Sequence, residues 1–362
     1  MVTSCYVHIP FCDDICTYCD FCKIYKKSGN VLKYLNALKQ EIQKYYRGEA
    51  LKTLYVGGGT PSSLSLSELK QLFQILDIFV KEEQIEYTVE CNIESITREK
   101  LLLFQQYGVN RISIGIESVD EKSIQLLGRH NTKKQVEDVI HMVKEVGFTN
   151  INVDLMYAFP WQTKSSFLND LSFFCSLKVP HVSTYSLILE EHTVLYQKKL
   201  EPIAEELDLW MYQKIEETLK ELGYHHYEFS NFAMPGYESK HNLVYWNNEK
   251  YYGFGLGASG YIDSIRYQNT RSILKYASGI SRLEEHQLSK KEEMENECIL
   301  GLRKMEGVSK ERFLKKFHIP IEEVFPIQKL KEKQFLKEKN GYLYIPEKYL
   351  YISNEILLEF ID

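Results

Sequence analysis

The stretch Tyr6-Val7-His8-Ile9-Pro10-Phe11-Cys12-Asp13-Asp14-Ile15-Cys16-Thr17-Tyr18-Cys19-Asp20-Phe21-Cys22 decides how the rest of the chain is read. Its first part, Tyr6 to Ile9, is apolar and β-rich. Its second part carries thiols at C-x3-C-x2-C spacing, which can turn three sulfurs onto one small object. Iron–sulfur clusters are held by thiolates at such close spacings. A cubane cluster has four irons, so three thiolates leave one iron without a protein ligand, and an open metal position can take a small molecule. Zinc is the competing reading, but zinc usually draws its ligands from two separated pairs.

The chain has eight cysteines. Four fall within residues 12–22, where disulfides would close very short loops. Cys5, Cys91, Cys175 and Cys298 are scattered in apolar contexts and read as core residues. In a reducing cytosol the clustered set points to metal binding or catalysis and not to a disulfide framework. A length of 362 residues suits one large domain plus a smaller one. Charged residues at 26% and hydrophobic ones at 44% are ordinary for a soluble globular protein. The net charge of −6 argues against a dedicated nucleic-acid binder. Met1-Val2-Thr3-Ser4 leads straight into a strand without a basic or apolar leader, and no apolar run is long enough to span a membrane. A cytoplasmic protein is therefore expected.

Outward from the cysteine loop, the first 190 residues or so alternate β-like and helical segments. Six short β-branched or aromatic runs fall at 5–9, 53–56, 86–90, 111–116, 150–155 and 182–187. Between them, Val31, Leu35, Leu38 and Ile42 form a helical stripe, and Ser65-Leu66-Ser67-Glu68 has capping-box spacing before Leu69, Leu72, Phe73 and Leu76. This alternation predicts an α/β fold, a parallel sheet covered by helices. Six units suit an open, partial (β/α)6 barrel, whose active site lies at the carboxyl ends of its strands. Those ends carry Gly57-Gly58-Gly59-Thr60-Pro61, Glu90-Cys91-Asn92, Gly115 with Glu117-Ser118 and Arg129 beyond, and Asp154. Each acid alone reads equally well as a solvated loop charge. Together, on one face, they form a polar site.

A helix at 204–222 closes the repeating part. A strand at 224–229 follows, then a glycine- and aromatic-rich stretch to Tyr267 containing Lys240-His241-Asn242-Leu243-Val244-Tyr245-Trp246. Ser289-Lys290-Lys291-Glu292 resembles a second capping box. Helical patterns follow at 290–303, 310–317 and 327–338, and Asn340-Gly341 is a hairpin signal. The predicted organisation is a core at 1–222, an extension at 223–288, and a C-terminal winged-helix-like module at 289–362. Packing or partner docking is the preferred role of that module over DNA binding, given the acidic chain.

The cysteine loop and the Gly-Gly-Gly-Thr-Pro turn together resemble the radical S-adenosylmethionine (SAM) enzymes, in particular the oxygen-independent coproporphyrinogen oxidase family. Tyr6-Val7-His8-Ile9-Pro10-Phe11-Cys12 is similar to that family's opening phrase. Gly108-Val109-Asn110-Arg111-Ile112-Ser113-Ile114-Gly115 and Asp154-Leu155-Met156-Tyr157 are similar to its later blocks. Within the family, the HemW-type haem chaperones are the better match, for three reasons. His241-Asn242-Leu243-Val244-Tyr245-Trp246 resembles their H-N-x-x-Y-W haem motif. Cys19-Asp20-Phe21 resembles their C-D-F, where the coproporphyrinogen dehydrogenases carry a fourth cysteine at the position of Phe21. The dehydrogenases also have an N-terminal extension, almost none of which is present here. Three positions depart from the family: Cys22 is an added thiol, Glu117 stands where glutamine is general, and Ser259 stands where histidine is frequent.

The resemblance implies that Cys12, Cys16 and Cys19 bind a [4Fe–4S] cluster whose remaining iron is chelated by SAM, which an electron delivered through the cluster can cleave. It implies that Tyr6, Gly58, Gly59 and Thr60 cradle SAM, that Glu90 bonds its ribose, and that Glu117, Arg129 and Asp154 line the rest of that site. It implies haem binding by His241, Asn242, Tyr245 and Trp246; from the residues alone, His241 reads more readily as a hydrogen-bonding residue and the two aromatics as packing. No residue is assigned a catalytic role. The expected function is a haem chaperone that hands haem to acceptor proteins such as membrane-bound respiratory enzymes, with an electron donor, a homodimer and peripheral membrane association as further expectations. The alternative is a coproporphyrinogen III dehydrogenase that decarboxylates propionates.

Overall fold

The computed structural model describes residues 1–26 and 28–361. Six parallel strands succeed one another in one sheet: β1 (Ser4–Ile9), β2 (Leu51–Gly58), β3 (Lys81–Asn92), β4 (Arg111–Glu117), β5 (Asn150–Tyr157) and β6 (His181–Ser186). Helices α1 (Ser28–Tyr45), α2 (Leu66–Leu76), α3 (Arg98–Gln106), α4 (Glu121–Leu127), α5 (Lys133–Val146) and α6 (Lys164–Ser176) connect them. Their starts are set by side chains: Ser65 and Thr132 close reciprocal capping boxes with Glu68 and Gln135. Helix α7 (Glu205–Glu221) ends the repeat.

The strands read in period two. Along β4, Ile112, Ile114 and Ile116 belong to the main core, while Arg111, Ser113, Gly115 and Glu117 alternate with them onto the other face. Tyr87, Val89 and Cys91 on β3 and Ile151, Val153 and Leu155 on β5 repeat the apolar half. The sheet therefore has an apolar face under the helices and a polar face lining a hollow.

The extension dresses both edges of this sheet. Strands β7 (His225–Glu228) and β8 (Asn231–Ala233) add antiparallel beyond β6, with Asn231 opposite Ser183. Helix α8 (Lys240–Trp246) follows, and β9 (Tyr252–Phe254) adds parallel to β1, pairing Tyr252 with Cys5. The final order is β9-β1-β2-β3-β4-β5-β6-β8-β7, an open barrel with two ends. A separate antiparallel sheet joins β10 (Ser259–Ile262), β11 (Ile265–Asn269) and β12 (Arg282–Gln287).

The C-terminal part has its own core, including Cys298, Phe313, Leu330 and Leu343. It comprises α9 (Lys290–Gly301), β13 (Val308–Ser309), α10 (Lys310–Phe317), α11 (Ile327–Glu332), β14 (Lys337–Lys339) and β15 (Tyr342–Tyr344), with β15 between the other two strands. Helix α11 stops six residues earlier than its apolar spacing predicts. The hairpin explains this: Asn340 and Gly341 both take positive φ, 52° and 79°, as a primed two-residue turn requires, so the residues just before them must be strand. No helix among the described residues is long and apolar enough to cross a membrane.

Candidate functional site

The cysteine loop follows β1 and is tied to the end of α4: the Thr17 amide donates to the Leu127 carbonyl at 3.0 Å and its hydroxyl to that of Leu126 at 2.6 Å. Cys12 is buried and Cys16 and Cys19 are half-buried, all three with free thiols. They do not converge as ligands of one ion would, since no group of three or more His, Cys, Asp or Glu that could hold a metal ion is found among the described residues. They border a space instead, a cavity of about 430 Å³ that also touches Gly58, Gly59, Thr60, Glu90, Glu117, Arg129 and Asp154. Seven of the eight residues expected to hold SAM are thus brought to the three cysteines.

Donors are aimed at two of the sulfurs. The Thr60 hydroxyl lies 3.7 Å from Cys12 Sγ and Arg129 Nη1 lies 3.8 Å from Cys16 Sγ. Burial pushes the Cys12 thiol up to about 11 and raises Cys16 and Cys19 as well, so these sulfurs need donors or a cation to become thiolates. Hydrogen bonds to sulfur are the ordinary surroundings of an iron–sulfur cluster. The donor set, the spacing and the room beside it fit a [4Fe–4S] cluster with SAM.

The acids are held in pairs with donors. Glu90 accepts from the Tyr55 hydroxyl at 2.7 Å and from the Gly58 amide at 2.9 Å. Burial nevertheless lifts its carboxyl to about 7. Glu117 accepts from the Tyr18 hydroxyl at 3.0 Å and faces Arg129 Nη1 at 3.8 Å; burial lifts it to about 7 against the pull of that arginine. Asp154 accepts from Asn152 at 2.8 Å and is likewise raised by burial. The glycine turn serves this packing. A Cβ on Gly57 would stand 2.6 Å from the Glu90 carboxylate, and one on Gly58, whose φ is 120°, 2.6 Å from the His8 ring. The side-chain space at those two glycines is taken by the protein's own groups.

A second cavity, about 510 Å³, lies against the first. Asp20, Phe21, Glu90, Ser113, Asp154 and Tyr185 line both and form the wall between them. On β4 the cluster cavity takes Ser113, Gly115 and Glu117 while the second takes Arg111 and Ser113, so the second lies toward the amino ends of the strands. Tyr6, the eighth expected SAM residue, lines this second cavity, where its hydroxyl meets His8 Nδ1 at 3.0 Å. Cys22 lies here too and not on the cluster cavity. Its carbonyl meets His8 Nε2 at 2.6 Å, and Gly257, at φ 71°, gives it room, since a Cβ there would stand 3.0 Å from Cys22 Sγ. Ser259 is a third lining residue.

His241, Asn242 and Tyr245 of α8 line the second cavity. Trp246 does not; its ring lies 5.6 Å from the Arg303 guanidinium in the C-terminal part. The helix is set by Glu86, whose carboxylate accepts the Lys240 and His241 amides at 3.0 and 2.9 Å. His241 is buried, stacked on Tyr55 at 5.1 Å, with Nδ1 2.7 Å from the Thr53 hydroxyl and Nε2 2.8 Å from the Tyr245 hydroxyl. Burial, helped by the charge of Arg111, lowers its ring to about 3, so the imidazole is neutral at physiological pH. With the proton on Nδ1, donated to Thr53, the Nε2 lone pair points at Tyr245.

Sequence reasoning did not single out Tyr18, Tyr55 or Asn152 for the site. The signal was present in the polar half of the period-two pattern, for instance Asn152 and Asp154 between Ile151, Val153 and Leu155.

A radical SAM superfamily model matches residues 6–174, and a HemN C-terminal domain model matches residues 288–348. The class that fold and cavity define is thus a radical SAM protein. A "Heme chaperone HemW" of Lactococcus lactis subsp. lactis (strain IL1403) is 40% identical over 99% of this chain and 97% of its own length. That of Bacillus subtilis (strain 168) is 38% identical over 99% of both chains, and that of Escherichia coli (strain K12) is 34% identical over 71% of this chain and 69% of its own length. The chain belongs to the HemW family. Among solved structures, the E. coli coproporphyrinogen III oxidase HemN, described as a radical SAM enzyme, superposes with a TM-score of 0.87 over 99% of this chain and 90% of its own, at 21% identity, a likeness of fold.

Proposed function

We propose that this protein is a haem chaperone that binds haem in the second cavity, beside a [4Fe–4S] cluster and SAM held in the first, and passes the haem to acceptor proteins. One observation carries the reading: three side chains of the H-N-x-x-Y-W motif and the cluster-and-SAM residues line two cavities with a common wall. The names of the full-length relatives support it.

In this reading Cys12, Cys16 and Cys19 hold the cluster, with Thr60 and Arg129 donating toward two of the sulfurs. Gly58, Gly59, Thr60, Glu90, Glu117, Arg129 and Asp154 hold SAM, and Tyr6 faces it from the second cavity. A cluster bound there supplies an open iron for the amino and carboxylate groups of SAM and a route for one electron from a donor protein. His241 is the iron ligand for haem. Its Nδ1–H is fixed by Thr53, the outer-sphere support that ligand histidines usually have. The Tyr245 hydroxyl covers Nε2 until haem displaces it, and Asn242 borders the same space. Trp246 ties the helix that carries them to the C-terminal module, so residues 223–288 act as the haem-bearing extension of the core at 1–222, and residues 289–362 serve for docking. Acceptors in the respiratory membrane, reached from the cytoplasm, and a homodimer complete the reading.

The test is a haem titration of wild-type protein and of His241→Ala, followed by absorption. Wild type is expected to develop the Soret band of coordinated haem and His241→Ala to lose it; an unchanged band in the variant removes His241 as ligand. Rapid anaerobic decarboxylation of coproporphyrinogen would replace the chaperone reading with that of a porphyrin-forming oxidoreductase.

A further inference from the structure

Arg111 opens β4 with its side chain on the polar face, lining the second cavity. It is 2% exposed, yet its Nε has no partner, and no hydrogen bond or ion pair of its guanidinium is found among the described residues. A guanidinium brings five N–H donors and a permanent charge. Buried without acceptors, such a group is strongly unfavourable. The acids on neighbouring strands, Glu90 and Asp154, feel its charge but do not pair with it. Glu90 is engaged by Tyr55 and Gly58, and Asp154 by Asn152. Asn152 Oδ1 meets the His181 ring at 2.6 Å and the Ser183 hydroxyl at 3.0 Å, and His181 Nε2 meets Tyr227 at 2.8 Å. A deep cationic fork facing an open cavity is left waiting for an acceptor with two oxygens.

We propose that Arg111 is the anchor for a carboxylate of the ligand in the second cavity, a propionate side chain of haem. This rests on the haem reading above. A planar guanidinium and a carboxylate match as two parallel hydrogen bonds. A single negative charge suits a cavity that already holds Glu90 and Asp154, where a phosphate dianion would meet repulsion. The macrocycle needs apolar surface, and Phe21 and Tyr185, 64% and 44% exposed, provide it on the wall between the cavities. Arg111 thereby fixes how the ring enters, propionate edge toward the amino ends of the strands.

The experiment titrates haem and haem dimethyl ester, in which both propionates are capped, into reconstituted wild-type, Arg111→Gln and Arg111→Lys protein. Arg111→Gln is expected to weaken haem binding roughly 30-fold or more, the effect of removing one partner of a buried charged pair. The ester is expected to bind wild type as weakly as haem binds Arg111→Gln, and to bind both proteins alike. Arg111→Lys is expected to recover part of the affinity. Without haem, the thermal stability of Arg111→Gln is expected to equal or exceed that of wild type, which a structural arginine would not allow. Equal affinity of wild type and Arg111→Gln for haem overturns the inference, as does a loss confined to SAM binding, which would assign Arg111 to the other cavity. If Arg111→Gln does not fold, ester against free acid in wild type decides: equal affinities overturn it. Wild type that takes up neither form removes the haem reading itself, and this inference with it.

Discussion

Arg129 and Arg111 are both buried guanidiniums beside β4, and they are held in opposite ways. Arg129, in the cluster cavity, donates to the Gly115 carbonyl at 2.6 Å and stands 3.8 Å from both Glu117 and Cys16 Sγ. Arg111, in the second cavity, has no such partners among the described residues. The Nε of each is without a partner, but the rest of the Arg129 guanidinium is paired before any ligand arrives, whereas Arg111 meets only the longer-range charge of Glu90 and Asp154. A cavity organised by its own pairs suits a resident cofactor. One with an open fork suits a ligand that comes and goes.

The cysteines give the largest contrast. Cys16→Ala is expected to abolish the broad visible absorption of the reconstituted cluster, whereas Cys22→Ala leaves it, because Cys22 lines the other cavity. Loss of the cluster in Cys22→Ala would mean that this loop rearranges to bring a fourth sulfur round.

Next in size are the two arginines. Arg129→Met strands Glu117 in a buried site and is expected to cost about 3–5 kcal/mol at pH 8, measured by denaturant unfolding. The same change at Arg111 breaks no hydrogen bond or ion pair found among the described residues and removes only the longer-range attraction to Glu90 and Asp154, so the expected change is near zero. Equal losses at both sites would erase the distinction drawn above.

That distinction was only half legible in the sequence. The cysteine spacing, the six strands, the capping boxes and the Asn340-Gly341 turn declare themselves because each is a local pattern with a local physical cause. The burial of Arg111, the engagement of both His241 nitrogens and the turning of Trp246 toward Arg303 do not. Each depends on pairing between segments far apart in the chain, such as Thr53 with His241 and Glu86 with the start of α8. Even so, β4 wrote its two faces plainly: a charged residue at the head of an alternating Ile-x-Ile-x-Ile run should prompt the question of what it faces.

The acids on the shared wall set a pH dependence. Glu90 is held at about 7 against an ordinary 4.5, chiefly by burial. Between those values the folded chain keeps a proton that the unfolded chain releases. The contribution is therefore fully present below pH 4.5 and is lost as pH rises through 7, at up to about 1.4 kcal/mol per pH unit. Glu117 adds the same sign. Cofactor-free Glu90→Gln is expected to flatten the fall in stability between pH 5 and 7.5; an unchanged slope would mean that water already reaches the carboxyl.

The smallest effect concerns the Tyr245 hydroxyl paired with His241 Nε2. Tyr245→Phe removes one hydrogen bond and leaves the ring that packs edge-on against His241 at 5.0 Å, so the loss of stability should be about 1 kcal/mol. Haem binding should move the other way. In the proposed ligation of iron through Nε2, displacing Tyr245 is part of the cost, and the variant no longer has that bond to break. The same small energy should thus appear as a several-fold gain in haem affinity. Phenylalanine that weakens haem binding instead would make Tyr245 a contact of the bound ring rather than the lid over its ligand. The second cavity would then be open to haem from the start, with His241 kept as part of its wall.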